Sequence, residues 1–301
     1  MKNYQRIGYL LVAAGGICWG SVGVLGNPLF ESDLPTLEIV SMKTSLAAFA
    51  MIMIALSWQP KLLKIRMMDI PFFILSGLLA QFIFGLGYYS AIRYTGATVA
   101  VILLYTAPIY VFIYSTIFFK EKPTREKLLG LVATIIGCFL AVGGLDVQNY
   151  DELSMIGILY GFVAAITYAS YTIMGKIGTK NYSPFTVATY SLLFGAVLLA
   201  IPYPPISNTL YEFDTLKWLS LLGVGIVATL LAFICYTFGL ERVESSKASI
   251  VVTVEVVAAT LLAYYFLNES LTFFRVTGVL MVLVGVITTQ NSKVLRDLIY
   301  K

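Results

Sequence analysis

Lys120-Glu121-Lys122-Pro123-Thr124 and Asn268-Glu269-Ser270-Leu271-Thr272 fall onto one another when the chain is slid along itself by 148 positions. The same shift brings Gly130 onto Gly278, Gly137 onto Gly285 and Tyr88 onto Tyr236. A shift of 149 aligns Gly8 with Gly157, Trp19 with Tyr168, Ser21 with Ser170, Gly26 with Gly175 and Pro35 with Pro184. The chain therefore reads as two homologous halves, 1–146 and 147–301.

Around these marks the sequence is too apolar for water. Of its 301 residues 59% are hydrophobic and 12% charged, whereas soluble proteins carry about 25% charge. A bilayer core about 30 Å thick takes roughly 20 apolar residues per helix. Apolar runs read against turn signals predict spans near 7–27, 36–57, 69–92, 97–119, 126–144, 154–175, 184–203, 215–239, 247–267 and 272–291. The breaks fall where helix interior is poor: Asn27-Pro28, Gln59-Pro60-Lys61, Lys120 to Pro123, Asp146 to Glu152 and Pro202 to Pro205. Small residues are scattered along Ile7 to Asn27, so this segment is expected to stay as span one and not to be cleaved as a signal. The expected fold is an all-α polytopic membrane protein of ten transmembrane helices in two five-helix repeats.

Direction follows from the bases, which accumulate on the cytoplasmic side of short loops. With the amino terminus inside, sixteen of the twenty Lys and Arg residues are cytoplasmic, and Arg93, Lys217 and Arg275 are outside. Lys43 lies within span two. The outer loops carry Glu31, Asp33, Asp146, Asp151, Glu152, Glu212 and Asp214. Both termini are thus expected in the cytoplasm. Five is odd, so the second copy enters the membrane in the opposite sense, with Glu121 cytoplasmic and Glu269 outside. The repeat is inverted.

Composition removes several function classes. The chain has no histidine, which excludes His-dependent triads and HExxH zinc sites. Cys18, Cys138 and Cys235 stand in apolar runs without metal-ligand spacing and read as free thiols. No metal, no cofactor, no nucleic-acid partner and no enzymatic activity is expected. The sequence contains no GxxxxGK[ST] loop, so ATP drive is not encoded in it. Inverted repeats are the usual build of secondary transporters, with the solute site near the midplane between the halves. Duplication that merely enlarged a bundle is the plainer reading.

Cys18-Trp19-Gly20 in span one, Ala107-Pro108 in span four, Lys120-Glu121 after it, Glu255, and Asn268-Glu269 followed by Gly278 together resemble the EamA branch of the drug/metabolite transporter superfamily. The resemblance covers nearly the whole chain. It implies a multi-pass carrier of the bacterial inner membrane, often an exporter of amino acids, amines or related metabolites, with a cavity between the halves. Many members have Glu-Pro where this chain has Glu255-Val256. Span nine is left without the proline that Pro108 gives span four, and the halves are expected to bend differently.

Glu255 is the only carboxylate deep within a predicted span. A buried acid is costly, and one that can gain and lose charge as access changes suits proton coupling or a cationic solute. The plainer reading is a structural ion pair, with Lys43 as partner. Lys43, seven residues into span two, either snorkels to the headgroups or faces the cavity, where it would bind a carboxylate. Gln81, Tyr88, Tyr105, Tyr168, Tyr236 and Trp19 offer hydroxyl, amide and aromatic surface inside the bundle, although such aromatics more often fill core or mark interfaces. Trp19 with Tyr168, and Tyr88 with Tyr236, are preferred as repeat-equivalent pairs. Pro108 is a candidate hinge. Gly16 and Gly20, and the pairs Gly130/Gly137 and Gly278/Gly285, read as helix-packing positions. Glu121 and Glu269 read as loop caps.

These features point to a secondary active exporter of small organic metabolites, amino acids or amines, working by alternating access in the lipid bilayer with a proton or counter-substrate. The alternative is a non-catalytic membrane subunit of a lipid-carrier flippase or another assembly.

Overall fold

A chain surrounded by lipid must satisfy its backbone polar groups internally, which leaves helices as the economical solution. The computed structural model describes residues 2–146, 154–205, 210 and 213–290, and among these all regular structure is helical, with no strand. The expected loop acids Asp151, Glu152 and Glu212, and the bases Lys293, Arg296 and Lys301, lie outside the described residues.

Eight described helices are long and apolar enough to cross a bilayer. They are α1 (Asn3–Phe30), α2 (Thr36–Trp58), α3 (Met67–Thr95), α4 (Ala97–Phe118), α6 (Met155–Gly178), α8 (Thr215–Arg242), α9 (Ser245–Leu267) and α10 (Phe273–Gln290). Two shorter helices of 17 residues, α5 (Arg125–Ala141) and α7 (Pro184–Ala200), take the places of the expected fifth and seventh spans. The protein is a polytopic helical membrane protein.

The halves interlock. Helix α1 packs on α8 and α9, α3 on α6, α2 on α7 and α8, and α5 on α10. The α5–α10 seam is built on glycine: a Cβ on Gly137 would stand 2.7 Å from the amide of Val282 and 2.8 Å from the carbonyl of Gly278. A Cβ on Gly278 would in turn meet the carbonyl of Gly137 at 2.6 Å. Gly16 brings α1 equally close to α9, where its Cβ would meet the carbonyl of Val252 at 2.6 Å. Without an apolar driving force between helices in lipid, such close backbone approach supplies the packing.

Two irregularities recur in both halves. Helix α3 passes through a π-helical segment at Leu78–Ile83 and α8 through another at Gly223–Leu231. Helix α4 is interrupted at Tyr105-Thr106 and α9 at Val252-Thr253. The expectation that the halves bend differently is therefore corrected: α9 breaks without proline. Thr106 donates its hydroxyl to the Leu103 carbonyl and Thr253 donates to Ile250, both at 2.6 Å. Across the second break the ladder runs three residues back, from Thr253 to Ile250 at 3.2 Å and from Glu255 to Val252 at 2.9 Å. A threonine competing for the backbone carbonyl loosens the α9 ladder where Pro108 loosens that of α4.

Candidate functional site

The break in α9 places Glu255 in the first turn of Val254–Leu267, where the end of a half-helix favours an anion. Its carboxylate faces a cavity of about 140 Å³ between the halves. Lys43 enters the same cavity from α2, Gln81 from the π-helical part of α3, and Trp19, Tyr88 and Tyr168 from α1, α3 and α6. Tyr168 donates its hydroxyl to Glu255 Oε2 at 3.2 Å. Among the described residues Lys43 and Glu255 make no direct ion pair. The cation and the anion thus face one space without closing on each other.

Aromatic rings form much of the wall. Trp19 meets Tyr168 edge-on with centroids 6.2 Å apart, and Tyr88 stacks on Phe84 at 5.7 Å. Such faces and hydroxyls offer both apolar area and cation attraction. Gln81 is buried and its Nε2 finds no partner among the described residues. That is an amide donor left over for a solute or water. Gly195 makes room for it, since a Cβ there would press on Gln81 Cβ at 2.5 Å.

Two of the sequence candidates stand elsewhere. Tyr236 is 2% exposed and bonds Thr172 at 2.6 Å, so it backs the Trp19 ring at 5.2 Å instead of facing the cavity. The expectation that it shares the role of Tyr88 is corrected: bonded to Thr172 and placed behind the Trp19 ring, it does not line the cavity. Tyr105 lines a wider vestibule of about 400 Å³, which runs from Glu255 past Val101 and Ala259 to Glu269 and Arg275 at one end of the bundle. Pro108 stands at the start of Ala107–Phe118, beside the α4 break. Thr229, Phe84 and Phe233 also line the inner cavity and escaped the sequence reading. Thr229 was findable, because the 148-residue shift carries Gln81 onto it.

At the opposite end of the bundle a surface pocket of about 470 Å³, lined by Glu121, Lys176 and Glu244, shares no lining residue with the inner cavity, so the cavity is closed on that side. Glu121 accepts from the Ser245 amide at 2.7 Å, the Ser246 amide at 3.1 Å and the Ser246 hydroxyl. Lys127, 2% exposed, lies 3.5 Å from Glu121 and 3.3 Å from Glu244. Burial alone would raise the Glu244 carboxyl, but Lys247 and Lys127 outweigh it and hold the group below the usual carboxylate range. Lys176 donates to the carbonyls of Leu240 at 2.7 Å and Val243 at 2.6 Å, tying α6 to the end of α8.

A family model described as the EamA-like transporter family matches residues 6–143 and 155–289. An uncharacterized transporter of Archaeoglobus fulgidus is 31% identical over 200 residues, covering 66% of this chain and 69% of that protein. An uncharacterized transporter of Clostridium kluyveri is 24% identical over 300 residues, covering 98% and 96%. A solved crystal structure shares the fold, with a TM-score of 0.80 at 15% identity, over 97% of this chain and 98% of that one. A cavity walled by both halves, open along a vestibule at one end and sealed at the other, agrees with these relationships: the chain is a multi-pass membrane transporter and belongs to the EamA-like transporter family.

Proposed function

We propose that the protein is a secondary active exporter of small zwitterionic or cationic metabolites, amino acids or organic amines, and that it works by alternating access. The observation that carries this reading is the shared cavity of Lys43 and Glu255. Its volume of about 140 Å³ suits a small metabolite. A carboxylate placed toward Lys43 and an ammonium toward Glu255 would each meet an opposite charge, with Trp19, Tyr88 and Tyr168 around the side chain and Gln81 donating a further hydrogen bond. Glu255 would hold a proton or a counter-substrate when no cationic solute is bound.

In this reading the halves are two inverted five-helix repeats, both termini are cytoplasmic and the membrane is the bacterial inner membrane. The bases Lys120, Lys122, Arg125, Lys127, Lys176 and Lys180 gathered near the Glu121 end support that orientation. The vestibule at Glu269 then faces outward. Pro108 in α4 and Thr253 in α9 serve as the hinges.

The test is flux into and out of liposomes that contain only this protein, preceded by thermal unfolding in detergent against amino acids, amines and organic acids. A bound solute raises the unfolding temperature by mass action. Saturable flux of one class, whose pH dependence is lost in Glu255→Gln, supports the reading. Flux that requires an added partner would favour the membrane-subunit alternative.

A further inference from the structure

The loops that follow the two broken helices share one backbone. Lys120 and Asn268 both take φ of 55°. The next amide reaches back in each, from Glu121 to Ser115 at 3.1 Å and from Glu269 to Ala263 at 3.3 Å. Each glutamate then meets a base six residues ahead, Glu121 with Lys127 at 3.5 Å and Glu269 with Arg275 at 2.8 Å.

From that point the two ends diverge. Glu121 is 8% exposed and caps the start of α9 through Ser245 and Ser246. Glu269 is 50% exposed and lines the vestibule. Ala97 and Thr98, the positions that match Ser245 and Ser246 under the 148-residue shift, line the same vestibule. Among the described residues the start of α4 carries no side-chain cap of its own. One turn further in, Val101 lines the vestibule while its match, Ser249, is 4% exposed.

We infer that Glu121 and Glu269 are alternately used helix caps that gate the two ends of the pathway. Glu121 on the Ser245 and Ser246 amides seals one end. In the opposite-facing state Glu269 crosses the vestibule to the Ala97 and Thr98 amides, with the Thr98 hydroxyl standing where Ser246 stands now, and Glu121 lets go of α9. The first turn of a helix holds unsatisfied amides that a carboxylate stabilises, so each cap restrains the state in which it is made. Because the exchange needs two states, it rests on the alternating-access reading.

The test uses full-length protein in liposomes, in a background with Cys18, Cys138 and Cys235 replaced by alanine. Single reporters, Val101→Cys or Ser249→Cys, are labelled with a membrane-impermeant maleimide. Glu121→Ala should slow labelling at position 101 and speed it at 249, by about fivefold for the loss of one cap. Glu269→Ala should do the reverse, and Glu121→Gln, which keeps an acceptor oxygen, should lie nearer the parent. The pair Thr98→Cys with Glu269→Cys should form a disulfide under mild oxidation, protecting position 101 until it is reduced. If the reporters alternate but that pair never cross-links, the cap exchange is wrong and alternating access stands. If position 249 stays protected in every variant, alternating access itself fails. A protein that no longer unfolds cooperatively after Glu121→Ala is replaced in the assay by Glu121→Gln with the disulfide pair, which separates the same two outcomes.

Discussion

Tyr168 donates its phenolic O–H to Glu255 across 3.2 Å, joining α6 to the half-helix that begins at Val254. The bond steadies Glu255, the one carboxylate that lines the cavity among the described residues, and fixes the Tyr168 ring against Trp19. Removing it in Tyr168→Phe is expected to cost about 1 kcal/mol of stability and to weaken the thermal stabilisation given by amines by several fold, as read from ligand titrations of the unfolding temperature.

Glu255→Gln is expected to leave the protein folded in detergent and to remove the pH dependence of flux in liposomes, since the amide does not ionise. Unchanged pH-dependent flux in this variant would take Glu255 out of the mechanism.

Lys43 faces the cavity and, among the described residues, has no partner carboxylate in contact. Lys43→Ala should therefore weaken carboxylated solutes by at least tenfold and leave simple amines nearly unaffected. Equal losses for both classes, measured by the same unfolding titration, would mean that the lysine is structural.

At the sealed end, Glu244 sits between Lys127 and Lys247 at 3.3 and 3.2 Å. Its carboxyl titrates lower in the folded protein than in the unfolded chain. The stability it contributes is present above the ordinary carboxylate range and is lost as pH falls through the folded value. Glu244→Gln should flatten the unfolding temperature against pH below about pH 4.5. A slope identical to the parent protein would remove this link.

The glycine seam gives the plainest test. A side chain at Gly137 would collide with backbone atoms of α10 on two sides, and backbone cannot turn aside as a side chain can. Gly137→Val is expected to destabilise by about 1–3 kcal/mol and to separate α5 from α10, while a valine at the open position Gly23 should be tolerated. Differential unfolding of the two variants decides it.

Eight of the expected spans were legible in the sequence because runs of about 20 apolar residues in lipid favour helices, which satisfy their backbone groups internally. Lys43 and Glu255 stood out as charges where charge is expensive, and the cavity does hold them both, together with Trp19, Gln81, Tyr88 and Tyr168. The break in α9 was not legible, because a threonine that loosens a helix looks like any other threonine until its hydroxyl is seen on the Ile250 carbonyl. Tyr236 misled for a related reason. Repeat position puts it opposite Tyr88, yet Thr172 takes up its hydroxyl, and hydroxyl satisfaction is decided by a helix distant in sequence. Lys127, one of the sixteen bases counted to the cytoplasmic side, lies buried between two acids, which its place at the start of a predicted span did not reveal.

The π-helical turn at Leu78–Ile83 makes the cavity vulnerable to a kind of lesion that hydropathy does not register. Wider turns accommodate one residue more than the α-helical ladder would. Deleting Ala80 would let the ladder close with Tyr88 and Tyr89 kept near their present phase, but it would regularise the turn that carries Gln81 into the cavity, while the segment would remain long enough and apolar enough to insert. A carrier lesioned in this way would reach the membrane in normal amount with Gln81 displaced from its binding wall.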